Sequence, residues 1–301
     1  MVHVLQNDTW RVGVLPQTAA SLAFAQIQRN GVWHDFMRPV AADKMDDALA
    51  CASYLLVPWS NRIRDARFTF AGQAYQLRPS YPDGTAIHGA ARHHPWHVVH
   101  ADATRIELRF DSRQHRDVNF PFAFVAWVEY VLEGTNFSTR LGVQNVDERP
   151  MPAGFGTHPM LLRALTAPDD LLELQLPFAK AYPLTDCLPT GEPVPVDDRL
   201  DYRTRRVAGQ IFVDDCYHER DIGAHIQLYY AKSDTSVCHW MDHAYSHAVV
   251  YMPPGQPLIA LEPVTNGNDG FNLMAQGAQA HGVFVLAPGA AREAMSGYVV
   301  S

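Results

Sequence analysis

The chain has 301 residues, of which 47% are hydrophobic and 19% charged, so it can bury a sizeable core and a disordered protein is excluded. Its 19 glycines and 21 prolines are close to average usage, which excludes collagen-like and low-complexity proteins. The net charge is −8 with histidine neutral, and the 24 basic residues are scattered, so we expect neither a nucleic acid nor a membrane as a partner.

The N-terminal residues and the cysteines bear on the cellular compartment of the protein. Asp8 and Arg11 lie where a secretory signal would need an uninterrupted apolar stretch. No window approaches the roughly 18 apolar residues of a membrane span. The four cysteines are far apart and form no CxxC pair. We therefore expect a soluble, cytoplasmic protein with reduced thiols.

Along most of the chain, hydrophobic residues alternate with a period of two, and turn residues separate the alternating segments, which is typical of antiparallel strands. Asn30-Gly31 and Ala71-Gly72-Gln73 are expected hairpin turns, because glycine supplies the backbone conformation that a tight turn requires. In chain order, the expected strands are residues 10–15, 22–29, 32–36, 67–70, 74–77, 97–99, 106–110, 123–132, 137–146, 226–231, 248–252, 282–286 and 296–300.

Helices are expected to be few and short, at residues 45–53 and around 169–174. Many short strands with glycine and proline turns predict an all-β fold, a large antiparallel sandwich or barrel. No Pro/Gly/Ser-rich linker and no shift in composition near the midpoint divide the chain, so we expect residues 1–301 to form a single domain. Residues 183–201 are expected to form a long loop.

Histidine is abundant, with 15 residues, and the spacing of three of them raises the question of a metal site. His239, His243 and His247 follow each other at i, i+4 and i+8, a spacing at which imidazoles on a helix can share a metal. Residues 248–251, however, look like a strand, and strand geometry would scatter these side chains over both faces. We expect no metal. Phosphate-binding GxxxxGK[ST] and GxGxxG loops are absent, so we expect no nucleotide cofactor, and the GxSxG of hydrolases is absent as well.

Five short segments place polar side chains beside turns or strand ends. Asn61-Arg62 precedes a hairpin, and Asp214-Asp215 and Glu262-Pro263 each follow strand-like residues. His88-Gly89 and His158-Pro159 place histidines beside glycine-containing turns, where another group can approach closely.

In this order and at these separations, the five segments resemble those of the aldose 1-epimerase (galactose mutarotase) family, from about Ala52 to the last strand. The closing Leu286-Ala287-Pro288-Gly289 is similar to the family's LxPG. The resemblance implies a β-sandwich of the galactose mutarotase-like (supersandwich) type. It further implies an isomerase without metal or organic cofactor, which interconverts the α and β anomers of a free aldohexose or related sugar.

The resemblance also implies an acid–base pair. By position, Glu262 matches the family's general base and His158 its general acid. Interconversion of anomers requires that the C1 hydroxyl loses its proton while the ring oxygen gains one, which suits a carboxylate and an imidazolium. We expect burial to raise the pKa of Glu262, and His158 to be charged before the reaction.

Four further residues match the family's substrate-binding positions. His88 matches the second histidine that orients the sugar, while Arg62, beside Asn61, and Asp214 match the groups that hold sugar hydroxyls. Asp215 is the alternative to Asp214 in that role. The implied partner is a small-molecule sugar, and the protein is expected to be a monomer or a homodimer.

Two alternative functions remain open. A hexose-6-phosphate mutarotase would share the acid and the base but would need arginines at the rim of the pocket, for which Arg64, Arg67 and Arg92 are candidates. A sugar-binding or regulatory protein on the same scaffold is the other alternative, because fold does not determine function. It would be expected to lack the acid or the base.

Overall fold

A computed structural model describes all 301 residues, and strands dominate it, which confirms the predicted all-β class. The 29 strands are numbered along the chain. Twelve form the first large antiparallel sheet: β1 (His3–Gln6), β2 (Trp10–Leu15), β3 (Ser21–Arg29), β4 (Val32–Met37), β5 (Leu55–Leu56), β15 (Gly156–Thr157), β16 (Met160–Leu162), β18 (Phe178–Ala181), β21 (Val194–Pro195), β23 (Val213–Arg220), β26 (His247–Met252) and β27 (Leu258–Val264).

The second large sheet has nine strands and runs through both halves of the chain. Its members are β10 (His97–Ala101), β11 (Arg105–Asp111), β12 (Phe124–Glu133), β13 (Asn136–Asn145), β17 (Leu172–Gln175), β22 (Arg206–Val207), β24 (Ile226–Tyr230), β25 (Thr235–Met241) and β29 (Ala291–Val300). The last long strand, β29, pairs with both β13 and β25 and so joins the two halves within one sheet.

Aromatic side chains join the two sheets face to face. Trp10 of β2 lies 5.6 Å from Phe137 of β13, and Phe36 of β4 lies 5.2 Å from Tyr298 of β29, measured between ring centroids. All four rings are at least 95% buried and belong to one continuous apolar core. Such pairs add to the hydrophobic stabilisation of burial. The architecture is therefore a sandwich.

Four two-stranded ribbons and a few helical turns complete the fold. The ribbons are β6 (Arg62–Ile63) with β9 (Ala86–Ile87), β7 (Arg67–Phe70) with β8 (Gln73–Gln76), β14 (Met151–Ala153) with β28 (Phe284–Leu286), and β19 (Leu184–Thr185) with β20 (Leu188–Pro189). Short 3-10 turns lie at Pro16–Thr18, Ala42–Lys44, Ala48–Ala50, Arg64–Ala66, Ala91–His93 and Ser112–Gln114. The α-helix α1 (Gly270–Ala275) has six residues, and no helix has the length and apolar character needed to cross a bilayer.

Both predicted hairpins form, and in the second Gln73 belongs to β8 rather than to the turn. Asn30 and Gly31 adopt φ values of 51° and 78° between β3 and β4, and Ala71 and Gly72 adopt 50° and 79° between β7 and β8. Positive φ at both central residues gives a turn whose twist matches that of paired strands. The turn chemistry read from the sequence therefore determined these hairpins.

Both predicted helices are wrong. Residues 45–53 contain only the short turn Ala48–Ala50, because Ala52 N and Ser53 O hydrogen-bond to Leu22 of β3 and hold the chain extended. Residues 169–174 lead into β17, whose two leucines are buried in the nine-stranded sheet. Pairing with the sheets overrode the local helical pattern in both segments. The loop expected at 183–201 contains β19, β20 and β21, and α1 was not predicted.

Candidate active site

The six residues proposed from the family resemblance line one open cavity of about 520 Å³. Its floor comes from β23, β26 and β27 of the twelve-stranded sheet, and its walls come from the segments around β5, β6, β9 and β15. The lining residues are Leu49, Tyr54, Asn61, Arg62, Tyr81, Ile87, His88, His158, Met160, Phe212, Asp214, Val249, Tyr251 and Glu262. The volume lies within the range of small-molecule sites.

Glu262 lies inside β27, whereas the sequence predicted that it follows the end of a strand. It pairs with Val249 of β26 in the middle of the sheet and is only 2% exposed. Burial raises the pKa of Glu262 well above its usual range, because the charged form loses its hydration; the nearby Asp214 raises it further and Arg62 opposes the shift. The expected direction of this shift is confirmed.

His158 follows β15, whose pairing with β5 determines its place in the cavity wall. Its backbone N–H donates to the carbonyl oxygen of Tyr54 at 2.9 Å, and its ring Nε2 lies 3.1 Å from Glu262 Oε1. Burial lowers the pKa of His158 to about 3, and Arg38 also lowers it. The surroundings therefore favour the neutral imidazole in the resting protein, in contrast to the expectation that His158 is charged before the reaction.

Glu262 and His158 lie within hydrogen-bonding distance of each other. The hydrogen bond between Nε2 and Oε1 places a proton on one of these two atoms, and burial favours the neutral form of each group, because it raises the pKa of Glu262 and lowers that of His158. The other polar atoms, Glu262 Oε2 and His158 Nδ1, are buried and have no partner in the protein. Both groups therefore retain hydrogen-bonding capacity for a ligand.

Two aromatic rings hold the His158 imidazole. Tyr54 stacks on it with centroids 4.5 Å apart and planes 21° apart, and His88 meets it edge-on with centroids 5.1 Å apart. Burial lowers the pKa of His88 well below its usual range, and His158 adds to this effect. These surroundings favour a neutral His88, whose Nδ1 is buried without a protein partner.

Asn61 and Arg62 enter the cavity from the start of β6. The Asn61 side-chain oxygen accepts a hydrogen bond from Arg62 N at 2.8 Å, and the Asn61 carbonyl oxygen accepts one from His88 N at 2.9 Å. Arg62 Nε donates to Asp83 Oδ2 at 2.9 Å, and its guanidinium lies 5.2 Å from the centroid of the Tyr81 ring. Hydrogen bonds thus join Asn61, Arg62 and His88 into one local network.

Of the two neighbouring aspartates, Asp214 lines the cavity and Asp215 does not. Asp215 is occupied by Arg199, which donates to its two carboxylate oxygens at 2.7 and 3.0 Å. Asp214 Oδ2 accepts a hydrogen bond from the Cys187 thiol at 3.3 Å, and burial raises the pKa of Asp214. Adjacent residues of a strand point to opposite faces, which explains the different surroundings.

The apolar side of the cavity was not predicted from the sequence. Leu49, Tyr81 and Phe212 are more than one-third exposed at its mouth, and Tyr251 pairs across strands with Asp214. The alternation in β26 could have placed Tyr251 on the face of Asp214 once the pairing of β23 with β26 was known. Nothing in the sequence marked Tyr54, Leu49 or Phe212.

The arginines proposed for a phosphate-binding rim do not lie in the cavity wall. Arg64 interacts with Asp269 at 3.5 Å, and the buried Arg92 donates to the carbonyl oxygen of Ile87 at 3.3 Å. Arg67 is exposed on β7. The cavity contains a single arginine, Arg62, and it is already paired with an aspartate.

The histidines with helical spacing do not converge. His239 lies on β25 of the nine-stranded sheet and His247 on β26 of the twelve-stranded sheet, so the two are separated between sheets rather than over the two faces of one strand. His247 uses both ring nitrogens in hydrogen bonds, to Ser246 and to the carbonyl oxygen of Ala280. No group of three or more His, Cys, Asp or Glu side chains in the structure has an arrangement that could hold a metal ion.

Comparison with known proteins relates this architecture to one family. A family model for aldose 1-epimerases matches residues 26–296. The Escherichia coli K12 protein YihR is 32% identical over 136 residues, which are 44% of this chain and 43% of YihR. The alignment therefore spans less than half the length of that curated relative.

Two solved structures show the same fold. A galactose mutarotase-like protein from Clostridium acetobutylicum has a TM-score of 0.87 at 17% identity, and the alignment covers 99% of this chain and 94% of that protein. The GalM/aldose epimerase homologue from C. elegans has a TM-score of 0.83 at 16% identity, and the alignment covers 100% of this chain and 99% of the homologue. The fold is the galactose mutarotase-like sandwich, and the match of the family model over most of the sequence shows that the chain belongs to the aldose 1-epimerase family.

Proposed function

We propose that this protein is an aldose 1-epimerase, an isomerase that interconverts the α and β anomers of a neutral aldohexose or related sugar. The observation that carries the proposal is the 3.1 Å contact between His158 Nε2 and Glu262 Oε1 in a cavity that also contains Arg62 and Asp214. A carboxyl group and an imidazole that share one proton can accept and donate protons in the same step.

Ring opening uses the less populated form of the pair, in which Glu262 is a carboxylate and His158 an imidazolium, because only this form offers a base to the C1 hydroxyl and an acid to the ring oxygen. Glu262 takes the proton of the C1 hydroxyl while His158 donates its proton to the ring oxygen. The C1–O5 bond breaks and the C1–O1 bond becomes a carbonyl. The pair is then a carboxylic acid beside a neutral imidazole, the form that burial favours through the raised pKa of Glu262 and the lowered pKa of His158. The protein thus stabilises the pair in the open-chain state.

Ring closure reverses the proton transfers on the other face of C1. After rotation about the C1–C2 bond, the C5 hydroxyl attacks the carbonyl carbon and gives its proton to His158, while Glu262 returns its proton to O1. The pair ends in its starting form, so each cycle leaves the enzyme unchanged. Each proton-transfer group is expected to contribute about 10²–10⁴-fold to the rate.

Neutral sugars fit the cavity better than sugar phosphates. Arg62 is the sole arginine of the cavity, and it is paired with Asp83. A phosphate dianion would need cationic partners and is normally held by free arginines. The presence of both an acid and a base, in direct contact, also favours an enzyme over a sugar-binding or regulatory protein.

The remaining features of the proposal concern the molecule as a whole. We propose one domain over residues 1–301, because strands from both halves of the chain share each large sheet. The proton transfers described above use side chains of this chain alone. We further propose a cytoplasmic monomer or homodimer.

Polarimetry tests the proposal. The optical rotation of freshly dissolved α-D-galactose and α-D-glucose is followed with the wild type, with Glu262→Gln, and with Glu293→Gln as a matched control, since Glu293 is half exposed and remote from the cavity. We expect acceleration by the wild type and the control, and loss of at least about 10²-fold in Glu262→Gln. Equal acceleration by all three would disprove the role of Glu262, and no acceleration of any aldose would disprove the function.

A further inference from the structure

A cysteine that does not line the cavity contacts a carboxylate that does. The Cys187 thiol donates to Asp214 Oδ2 at 3.3 Å, and no other side chain or backbone group of the protein donates to this carboxylate. Asp214 Oδ1 is therefore left without a protein donor. The thiol is a weak donor, so it orients the carboxylate without occupying both of its oxygens.

Tertiary contacts hold Cys187 in this position. It lies in the two-residue turn between β19 and β20, where Asp186 and Cys187 adopt φ values of 51° and 62°. The side-chain amide of Asn268, itself only 2% exposed, donates to the Cys187 carbonyl oxygen at 2.8 Å. The next residue, Asp269, donates its N–H to the Arg62 carbonyl oxygen at 2.8 Å. One buried segment thus supports both the thiol and the strand that carries Arg62.

We propose that Cys187 is a positioning residue for substrate binding: its thiol holds the Asp214 carboxylate in the orientation in which the free oxygen accepts a hydroxyl group of a neutral sugar. The effect on the sugar rests on the function proposed above. The thiol acts through Asp214 and does not touch the reacting atoms, so it is expected to affect binding and leave the proton transfers unchanged.

Other charged groups near Asp214 do not replace this contact. Arg62 lowers the pKa of Asp214 through space but directs its Nε to Asp83, and Asp215, on the same strand, raises the pKa of Asp214. Glu262 on β27 lies on the same cavity floor, but its side chain contacts His158 and forms no hydrogen bond with Asp214. Without the thiol, the carboxylate has no hydrogen-bonding group that selects one orientation.

Kinetics with α-D-galactose provide the first test. Cys187→Ala is compared with the wild type and with Cys238→Ala, a control cysteine on β25 outside the cavity. We expect KM to rise about two- to tenfold in Cys187→Ala with kcat unchanged, corresponding to one modest hydrogen bond, and both constants to stay unchanged in the control. In an Asp214→Asn background, the same change is expected to have no further effect on kcat/KM, since the two residues act as a unit.

A second measurement does not depend on activity. The pKa of the Asp214 carboxyl group, followed by carbon NMR, is expected to rise in Cys187→Ala, because the thiol hydrogen bond favours the charged form. An unchanged KM, a fall in kcat alone, or an equal loss in the Asp214→Asn background would overturn the inference. If the wild type accelerates no mutarotation, the proposed function fails, and the NMR titration decides the inference: a raised pKa supports the contact and an unchanged pKa overturns it.

Discussion

The rings of Tyr54, just before β5, and His158, just after β15, stack with centroids 4.5 Å apart, and the Tyr54 carbonyl oxygen accepts a hydrogen bond from the His158 N–H. The tyrosine therefore determines both the backbone position and the ring plane of the proposed acid. An aromatic face also stabilises a cation placed over it. Because burial lowers the pKa of His158 to about 3, the stack assists whenever the ring must carry the proton.

Replacement of Tyr54 should therefore slow the reaction more than it weakens binding. We expect Tyr54→Leu to lower kcat about two- to thirtyfold, the range that corresponds to one desolvated aromatic–cation contact, with a smaller change in KM. Tyr54→Phe keeps the ring and removes the hydroxyl, so it should retain most of the wild-type kcat. Polarimetric kinetics measure both variants. A Tyr54→Phe enzyme as slow as Tyr54→Leu would show that the hydroxyl, and not the stack, matters.

The dependence of kcat/KM on pH should report the proton shared by Glu262 and His158. The active pair holds one proton: a second proton leaves no base, and loss of the last proton leaves no acid. With the pKa of His158 lowered to about 3 and that of Glu262 raised, we expect the acidic limb to lie well below pH 6 and the basic limb to lie above the usual carboxyl range. An acidic limb near pH 6.5 would instead indicate that His158 is an ordinary, solvated histidine.

Phosphorylated sugars should be poor substrates. With Arg62 paired to Asp83 and no other arginine in the cavity, we expect kcat/KM for a hexose 6-phosphate to be at least about tenfold below that for the neutral hexose, which corresponds to roughly 1.4 kcal/mol. Competition assays with both sugars measure this ratio, with inorganic phosphate as a control for ionic strength. Equal or higher activity on the phosphate would favour the hexose-6-phosphate mutarotase.

Gly89 should be essential for the wall that carries His88. It adopts φ of 77°, and a Cβ atom there would lie 2.2 Å from the carbonyl oxygen of Val57. Gly72 has nearly the same φ, 79°, but nothing within 4 Å of such an atom, so it is a matched control. We expect Gly72→Ala to lower the free energy of unfolding by about 1 kcal/mol and Gly89→Ala by at least about 3 kcal/mol.

Urea denaturation monitored by tryptophan fluorescence measures both losses. Both glycines have a positive φ, so both variants lose the stability that this conformation costs an alanine. The difference between their free energies of unfolding therefore measures the contact with Val57 alone. Equal losses would show that the backbone at Val57 moves to accommodate a methyl group.

Much of the fold follows from local sequence patterns. The hairpins at Asn30-Gly31 and Ala71-Gly72 depend on dihedral preferences of two residues, so the sequence predicts them well. The helix expected at 45–53 failed because pairing with β3 outweighs a weak local preference. Short strands such as β19 and β20, with two residues each, contain too little alternation to be recognised.

For the candidate site, too, some features follow from the sequence and others do not. The sequence by itself determined the order and chemical type of the family's motif residues, from Asn61 to Glu262, since these depend on residue identity alone. It left Asp214 and Asp215 as alternatives, because the faces of a strand acquire an inside and an outside only when the sheet packs.

Only the tertiary structure decided the properties that arise from burial and distant contacts. Burial reversed the expected charge of His158, brought Tyr54 against its ring, and placed the Cys187 thiol on Asp214, a residue 27 positions away in the chain. A pKa depends on the solvation and charges around a group, and these are set by strands far apart in sequence. Residue identity therefore specified the chemistry that is available, and packing specified which groups meet and in which protonation state.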